Sequence, residues 1–555
     1  MSAAASPAIA APIGTVAPVA APVAKRPPVN KWVVTISVTF GTLMGAIDSS
    51  IVNVAIPHLR GELSATVEEV TWITTAFVIA TVLVMPLTAF LGRQFGQKRI
   101  YMIALGLFLL GSALCGLARS LSVMILARVV QGLGAGALQP TEQAILRQTF
   151  PPEEQGMASA VFGMAVVIGP AFGPTLGGWI IDNYSWPWIF YINLPVGVLA
   201  LIMVGRFVYE PEDVLAANQK MAEQQRRNID WIGIALLSIC LATLQYVLEE
   251  GASKDWFDSR LITGCAIASF IAVISFVARE LTAPAPVVDL TLFKNDVFTS
   301  GTLIGAVMFA MLMAQTFLLP LFMQEMLGYP AMQAGLALMP RSLAMLVTMP
   351  LVGRLYNRVS PRLFITFGIL LFAYTAYEMS HYTLDTTTRT VVNVLLIQGV
   401  AFACLFIPLT TVALSKIPRY RMADATGLNS LLRQIGGSVG LAVFASLISR
   451  YSTQAKYGIV AHLDAGRPEL LIRLSQMKAL LMSRGFSAGD AEAGARRMLS
   501  GLVAQQAMIL SFEKLFMLAG ILFLCVLPLV LFLRAPKLAG PAAAKEKPVD
   551  VHIEV

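Results

Sequence analysis

An acidic residue in the middle of a long apolar segment is the first feature of this sequence that could do chemistry. Asp48 lies inside the apolar run from Trp32 to Ile56, which is long enough to cross a lipid bilayer. An ionisable side chain at membrane depth is costly, and by default it marks an ion or substrate path. We therefore predict that Asp48 binds and releases protons.

A basic residue at a similar depth could act together with this acid. Asp48 lies nine residues before Pro57, roughly 13 Å along a helix, and Arg128 lies seven residues after Leu121, roughly 10 Å by the same rise. Burial favours a protonated carboxyl group, whereas a nearby guanidinium favours the carboxylate. A site that alternately gains and loses this cation would bind and release a proton. The alternative is a static buried ion pair that fixes helix packing.

Polar residues continue from Arg128 along one face of the same segment. A stripe of polar and small residues, Gln131, Gly132, Ala135, Gln139 and Glu142, recurs at three- and four-residue steps. Polar side chains on one face of a spanning helix look into a bundle interior or a water-filled cavity. We predict that Gln131, Gln139 and Glu142 bind substrate. For Glu142, a second carboxylate station and a place in interfacial water both stay open.

Glycines and prolines alternate in the fifth apolar segment. Gly169, Gly173 and Gly177 are four residues apart, which lets another helix backbone approach closely. Pro170 and Pro174 each remove a helical hydrogen bond and bend the helix. We predict that these five residues form a bend that opens or seals one face of the bundle; the alternative is a purely structural seam.

Later segments offer further candidates for a substrate cavity. We predict that Met311, Gln315 and Gln398 bind substrate, because methionines adapt to irregular apolar shapes and the amides add polar contacts. Equally, the methionines around Met311 could be lipid-facing filler. We expect Arg433 to reach the inner membrane surface with its long side chain.

The composition places these residues in a membrane protein. Hydrophobic residues make up 57% of the 555 residues and charged residues 13%, with a mean hydropathy of +0.72. A soluble domain carries about a quarter charged residues. The net charge of +8 resides on basic residues at segment ends, so it does not indicate nucleic-acid binding. We found no phosphate-binding loop, nucleophile motif or metal-ligand spacing, so we expect neither an enzyme nor a cofactor.

Fourteen apolar segments predict an all-α integral membrane protein. Basic residues concentrate in alternate connections, such as Arg93, Lys98 and Arg99, which predicts that both termini are cytoplasmic. The segments are Trp32–Ile56, Val70–Leu91, Ile100–Ala118, Leu121–Ile145, Met157–Ile181, Pro187–Val208, Trp231–Leu248, Leu261–Val277, Phe298–Met323, Met332–Leu355, Leu363–Met379, Val391–Leu414, Gly427–Ile448 and Phe512–Leu533.

A faint internal repeat predicts two related halves. Ala89–Gly96 follows the second segment and Gly353–Ser360 follows the tenth, and in each a small residue and a leucine precede a short basic connection. The predicted organisation is a disordered cytoplasmic tail at 1–31, a six-helix half at 32–208, a linker with two inserted helices at 209–297, a six-helix half at 298–533 and a cytoplasmic tail at 534–555. An outer loop at 449–511 contains two amphipathic stretches, Pro468–Met482 and Ala491–Met508, which predict helices that lie on the membrane or dock a partner.

Several stretches together resemble one family. Ile47–Asp48 with Ile51–Pro57, Arg128–Gly132 and Gly169–Gly178 resemble the first-, fourth- and fifth-helix motifs of the major facilitator superfamily, in particular its fourteen-helix drug:proton antiporters of the EmrB/QacA type. Further family-like stretches are Trp188–Gly197, Asp255–Phe257, Pro286–Phe293 and Gly335–Pro340. The resemblance implies that superfamily's fold of two pseudo-symmetric halves, and proton-coupling and cavity roles for Asp48 and Arg128.

The resemblance also implies a function and partners. It implies proton-driven export of amphipathic or hydrophobic toxic compounds across the cell inner membrane, together with a periplasmic adaptor and an outer-membrane channel. The sequence departs from the family pattern in the connection after the second helix, where Arg93 occupies the position of the usual acid. Asn357 occupies the corresponding position in the second half. The alternatives are a proton-coupled exporter of one metabolite, such as a siderophore or fatty acid, and a receptor or scaffold that transports nothing.

Overall fold

The structure of this protein is a computed structural model that describes residues 30–227, 229–283, 286–463 and 467–533. The predicted tails therefore fall almost entirely outside the described residues. Every regular element within these ranges is helical. Fourteen helices or helix runs among them are long and apolar enough to cross a membrane. The prediction of an all-α protein with fourteen spanning helices is confirmed.

Nine helices build the first six spans. The second span consists of α2, α3 and α4 with a 3-10 turn at Met85–Leu87, and the sixth consists of α8 and α9. The bounds are α1 Lys31–Glu62, α2 Val67–Val70, α3 Trp72–Val84, α4 Thr88–Phe95, α5 Gln97–Leu117, α6 Leu121–Thr149, α7 Gln155–Asn183, α8 Trp188–Tyr191 and α9 Asn193–Phe207.

The remaining helices complete the other eight spans. Two of them, α10 and α18, lie between spans and do not count among the fourteen. The bounds are α10 Glu212–Arg227, α11 Trp231–Glu250, α12 Arg260–Thr282, α13 Asp296–Glu325, α14 Ala331–Leu355, α15 Pro361–Met379, α16 Thr388–Ala413, α17 Met422–Ala461, α18 Pro468–Ser483 and α19 Ala488–Leu524. A 3-10 segment, Leu527–Phe532, follows α19.

Local sequence explains where several helices begin. Asn30 accepts a hydrogen bond from the backbone N–H of Trp32 at the start of α1. At the start of α2, Thr66 and Glu69 each accept from the other's backbone N–H, at 3.2 and 2.9 Å, which is a capping box. Between α4 and α5, Gly96 has a φ of +89°, which a residue with a Cβ rarely adopts. These signals stop one helix and start the next at the membrane borders.

The fourteen spans alternate in direction, so the first begins and the last ends on the same side. We call this side the terminal face, and the opposite side, which carries α18, the loop face. Helices α1 to α9 pack mainly on one another, as do α13 to α19, and α7 lies against α14 between the two groups. At the terminal face the groups also meet where Asn357 donates to the carbonyl of Glu153. The predicted boundaries at 208 and 298 stay a prediction.

The two inserted helices, α11 and α12, pack on each other and attach to both groups through α11. Gln245 of α11 donates to the hydroxyl of Ser438 in α17 at 2.7 Å. On its other side, Glu250 accepts from the hydroxyls of Thr71 and Thr75 at 3.3 Å. The inserted pair therefore lies beside the contact between α3 and α17.

The predicted outer loop at 449–511 is mostly helical. The helix predicted over Pro468–Met482 is present as α18, which packs on α19 and buries its Met477. The predicted separation of Ala491–Met508 from the last span is wrong, because α19 runs without a break from Ala488 to Leu524. Likewise α17 continues past Ile448 to Ala461. The long helices carry this segment well beyond the apolar spans.

Candidate functional site

Asp48 and Arg128 are in direct contact inside the first group of helices. Nη1 of Arg128 in α6 lies 2.7 Å from Oδ2 of Asp48 in α1. The two residues are 0% and 1% exposed, so neither faces lipid or bulk water. The sequence placed both at similar depth from one side, and the structure brings them together.

Two amides complete the surroundings of the carboxylate. Nε2 of Gln131 donates to Oδ1 of Asp48 at 2.8 Å, and Nδ2 of Asn193 in α9 donates to the same oxygen at 3.0 Å. Asn193 also donates to the hydroxyl of Ser112 in α5 at 3.0 Å. Polar side chains from α5, α6 and α9 thus form one hydrogen-bonded network around the carboxylate on α1.

The guanidinium of Arg128 is held independently of the acid. Its Nε donates to the backbone carbonyl of Ile73 at 3.0 Å, and its Nη1 also donates to Oε1 of Gln131 at 2.7 Å. Its Cζ lies 4.0 Å from the ring centroid of Phe77, which is a cation–π contact. Because these partners lie on α3 and α6, the guanidinium is positioned by contacts that do not involve Asp48.

The glycine-rich helix α7 lies directly against this part of α1. A Cβ added at Gly169 would lie 2.2 Å from the carbonyl oxygen of Ala46, and one at Gly173 would lie 2.5 Å from Cβ of Ser50. These two α1 residues flank Asp48 in sequence. At Gly177 an added Cβ would be 3.2 Å from a methyl of Ile51, so the seam opens slightly toward the loop face. The predicted close helix approach is present, with α1 as the partner.

Pro174 of the seam lies on the side of the second group. A Cβ added at Gly335 of α14 would lie 3.9 Å from Cβ of Pro174, so the two groups of helices meet at this proline. The side chain of Pro170 lies outside the described part. The proposed role of these residues in opening and sealing a face stays a prediction.

Glu142 forms a second polar station on α6, apart from the Asp48 pair. It is 0% exposed, and its Oε1 accepts from the hydroxyl of Thr39 in α1 at 3.1 Å. Its Oε2 has no hydrogen-bond partner among the described residues. Gln139, one turn earlier, is partly buried. Glu142 therefore lies in the protein interior rather than in interfacial water.

The candidates of the second group lie far from Asp48 in sequence and on other helices. Gln398 of α16 donates to Gln315 of α13, and both are 0% exposed. The second amide atom of each has no partner within the described ranges. Met311, one turn before Gln315, is also buried rather than lipid-facing. These residues form a buried amide pair with an apolar neighbour.

The expected position of Arg433 is wrong. The residue is 6% exposed, and its Nη2 donates to the hydroxyl of Thr410 at 2.6 Å instead of reaching the membrane surface. Its Cζ lies 5.1 Å from the ring centroid of Phe406, which gives the buried cation a partial partner.

Two members of the Asp48 network were not predicted from the sequence. Asn193 and Ser112 each stand alone in an apolar helix, so no spacing pattern singles them out. Asn193 does lie in one of the family-like stretches, which was the available signal. Gln131, predicted to bind substrate, instead uses both ends of its amide on Asp48 and Arg128.

Comparison with known proteins agrees with this arrangement. The sequence model of the Major Facilitator Superfamily matches residues 38–441. The chain belongs to the major facilitator superfamily. Members of the superfamily are transport proteins and not enzymes, and this member is a multi-pass inner-membrane protein.

Relatives within the superfamily match almost the whole chain. The multidrug export protein EmrB of Haemophilus influenzae is 33% identical over 518 residues, which are 92% of this chain and 98% of that protein. The fatty acid resistance protein FarB of Neisseria gonorrhoeae is 32% identical over 509 residues, covering 92% and 97%. This superfamily member is therefore of the EmrB type.

A solved structure shows the same superfamily fold. The human organic anion transporter MFSD10 superposes with a TM-score of 0.57 at 16% identity, covering 90% of this chain and 100% of that one. At this identity the likeness concerns the fold alone.

Proposed function

We propose that this protein is a secondary active exporter that moves amphipathic, largely apolar compounds outward while protons move inward. The observation that carries the proposal is the buried contact between Asp48 and Arg128, 2.7 Å apart at the meeting point of four spans. The names of its relatives, a multidrug export protein and a fatty acid resistance protein, support export of such compounds. The source of energy is the ion gradient, with no cofactor.

Protonation of Asp48 changes the balance of forces around α1. The charged carboxylate accepts from Arg128, Gln131 and Asn193, whereas the neutral acid no longer compensates the fixed guanidinium. The attraction that holds α1 against α6 and α9 then weakens. Since α1 also packs along the glycine seam of α7, a shift of α1 is transmitted to the helix that contacts the second group.

The energy available from one proton suits this step. One elementary charge that crosses 100 mV contributes about 2.3 kcal/mol, and a pH difference adds to it. Coupling between two sites is typically about 1–3 kcal/mol. The entry of one proton per cycle therefore supplies enough free energy to shift the equilibrium between two arrangements of the halves.

For the substrate we propose contacts with Gln139 and Glu142 of the first group and with Met311, Gln315 and Gln398 of the second. Glu142, Gln315 and Gln398 each have a polar atom without a partner among the described residues, so a ligand would satisfy it. Gln131 positions Asp48 instead of binding substrate. A metabolite exporter is the second candidate, and the similarity to FarB favours a fatty acid.

We further propose that the terminal face is cytoplasmic and that the loop face meets a periplasmic adaptor, which joins an outer-membrane channel. The support is an apolar surface on the helices of the loop face. Ile472 and Leu480 of α18 are 56% and 45% exposed, and Phe486, just after α18, is 52% exposed. Exposed apolar residues on a segment beyond the spans are typical of a docking surface.

Substrate-driven proton movement in proteoliposomes tests the proposal. Purified protein is reconstituted with a pH-sensitive dye inside the vesicles, and a panel of amphipathic compounds is added with and without an uncoupler. Proton flux that depends on compound, and compound movement that collapses with the uncoupler, are expected. Compound movement that is unaffected by the pH gradient would contradict proton coupling, and no movement of any compound would favour a receptor or scaffold.

A further inference from the structure

Two buried arginines from opposite halves meet at one threonine. Nη2 of Arg147 in α6 donates to the backbone carbonyl of Thr410 in α16 at 2.6 Å. Nη2 of Arg433 in α17 donates to the hydroxyl of the same Thr410, also at 2.6 Å. The two arginines are 7% and 6% exposed. One cation from each half is therefore held at the boundary between the halves.

These cations lack the charge compensation that buried arginines usually have. Neither Arg147 nor Arg433 forms an ion pair among the described residues, and the two repel each other. By contrast, Arg128 is paired with Asp48. A buried charge without a counter-charge is expensive, and Nε of Arg433 also has no hydrogen-bond partner in the described part. An anion between the two guanidinium groups would remove this cost.

A third polar group beside Arg147 also lacks partners. Gln143 lies one turn earlier on the same face of α6 and is 3% exposed. Neither its amide oxygen nor its amide nitrogen has a partner within the described ranges. Gln143 lines a small void together with Arg147, Ser159 and Phe162. An amide without partners in the described part therefore lies beside the guanidinium of Arg147, whose Nη2 also donates to the hydroxyl of Ser159 at 3.5 Å.

A larger cavity leads to this place from the terminal face. It has a volume of about 770 Å³ and is lined by residues from both halves, with Arg147 and Thr411 at the buried end. Arg358 and Arg419 lie on its wall, and the described lining includes no aspartate or glutamate. A cleft lined by one sign of charge concentrates ligands of the opposite sign.

Aromatic rings lie beside the guanidinium of Arg433. The centroid of Phe406 is 6.1 Å from that of Phe162 and 6.2 Å from that of Phe309. Both Phe309 and Phe406 also contact the guanidinium of Arg433. Cationic donors and an apolar aromatic surface are therefore adjacent, which is the arrangement that an amphipathic anion needs.

We infer that Arg147, Arg433 and Gln143 bind the carboxylate of an amphipathic acid, and that Phe162, Phe309 and Phe406 contact its apolar chain. The inference rests on the proposed export function and narrows its substrate class. The planar N–H groups of arginine match the two oxygens of a carboxylate. Because Arg147 and Arg433 belong to different halves, a bound carboxylate also joins the halves at this point.

Equilibrium binding of radiolabelled dodecanoate to purified protein in nanodiscs tests the inference. The comparison ligand is dodecyltrimethylammonium, which has the same chain and the opposite charge. The wild-type protein is expected to bind dodecanoate more tightly than the ammonium compound. Arg147→Met and Arg433→Met, which keep bulk without charge, should each weaken dodecanoate binding by about tenfold or more, as for loss of a hydrogen bond to a charged group. Arg433→Lys should restore part of the binding.

Arg279→Met is the control. Arg279 forms an ion pair with Asp230 at 3.0 Å beside the inserted helices, away from the two cations. This variant should bind dodecanoate as the wild type does. Equal affinity for both ligands, or unchanged dodecanoate binding in Arg147→Met and Arg433→Met, would overturn the inference. Because binding is measured without a pH gradient, arginine-dependent binding without proton flux would leave the site standing and contradict the proposed proton coupling.

Discussion

Nη1 of Arg93, near the end of α4, lies 2.6 Å from both carboxylate oxygens of Asp424 at the start of α17. The side chains are 7% and 5% exposed, so the ion pair is buried between the two halves at the terminal face. The superfamily usually has an acid at the position of Arg93. Here the basic residue lies in the first half and the acid in the second, and together they link the halves.

Loss of this pair should loosen the terminal face. Arg93→Ala leaves the Asp424 carboxylate buried without its cation, which is strongly unfavourable. We expect faster reaction of a membrane-impermeant maleimide with a cysteine introduced by Thr411→Cys, a position that is 2% exposed and lines the terminal-face cavity. The exchanged pair Arg93→Asp with Asp424→Arg should slow the reaction again.

The matched control for this experiment is Arg279→Ala. Arg279 forms an ion pair with Asp230 at 3.0 Å. Arg279 lies in α12 and Asp230 directly precedes α11, so this pair belongs to the inserted helices and not to the contact between the halves. When Arg279→Ala is combined with Thr411→Cys, the cysteine should be labelled at the same rate as in the parent protein, which carries Thr411→Cys alone. Equal rates in Arg93→Ala and the parent would show that the pair does not hold the terminal face closed.

The glycine seam allows a comparison within one helix. Gly169→Ala would place a Cβ 2.2 Å from the carbonyl oxygen of Ala46, whereas an added Cβ at Gly178 meets nothing within 4 Å. We expect Gly169→Ala to destabilise the fold by about 1–3 kcal/mol through overpacking. Gly178→Ala should be neutral or stabilise by up to about 1 kcal/mol, because alanine favours the helix. Thermal unfolding in detergent measures both, and equal midpoints would contradict close packing of α7 on α1.

The network around Asp48 predicts a cost for removing one of its amides. Asn193→Ala takes a donor from the carboxylate and from Ser112, and the buried groups are left less satisfied. We expect a loss of about 1–3 kcal/mol in stability. Asn183→Ala is the control, because Asn183 is exposed at the end of α7 and, among the described residues, donates only to the carbonyl of Trp179. If the two variants unfold at the same temperature, Asn193 does not support the site.

The loop-face surface predicts the place of adaptor contact. Ile472→Ser with Leu480→Ser removes two exposed apolar side chains without touching the packing of α18 on α19. Capture of an adaptor encoded beside this chain should fall severalfold, while transport by the purified protein stays unchanged. Arg497→Ser, at an exposed polar position of α19, should leave capture intact. Unchanged capture in the double variant would contradict adaptor docking on α18.

The contact between Asp48 and Arg128 could be predicted from the sequence, because the membrane interior offers a charged side chain few partners. An acid and a base at similar depth in apolar helices have few partners other than each other, and Asp48 and Arg128 do meet. Asn193 and Ser112 could not be found in this way, since a single polar residue in an apolar helix has no spacing pattern. Which helices lie next to each other is decided by tertiary packing.

Two errors have specific physical causes. We expected Arg433 near a helix end to reach the surface, but Thr410 and the rings of Phe309 and Phe406 hold its guanidinium inside. We separated Ala491–Met508 from the last span because its polarity differs, although no proline or glycine lies between Met508 and Phe512. Polarity marks where a helix leaves the membrane, not where it ends.

The most direct test of the central claim is substrate-driven proton flux in proteoliposomes that contain Asp48→Asn. The amide has the shape of the carboxyl group but does not take up a proton, so compound-dependent flux should vanish while the protein keeps its elution profile and thermal midpoint. Asp182→Asn, at an exposed position at the end of α7, should retain full flux. Undiminished proton flux in Asp48→Asn would contradict the assignment of Asp48 as the proton carrier.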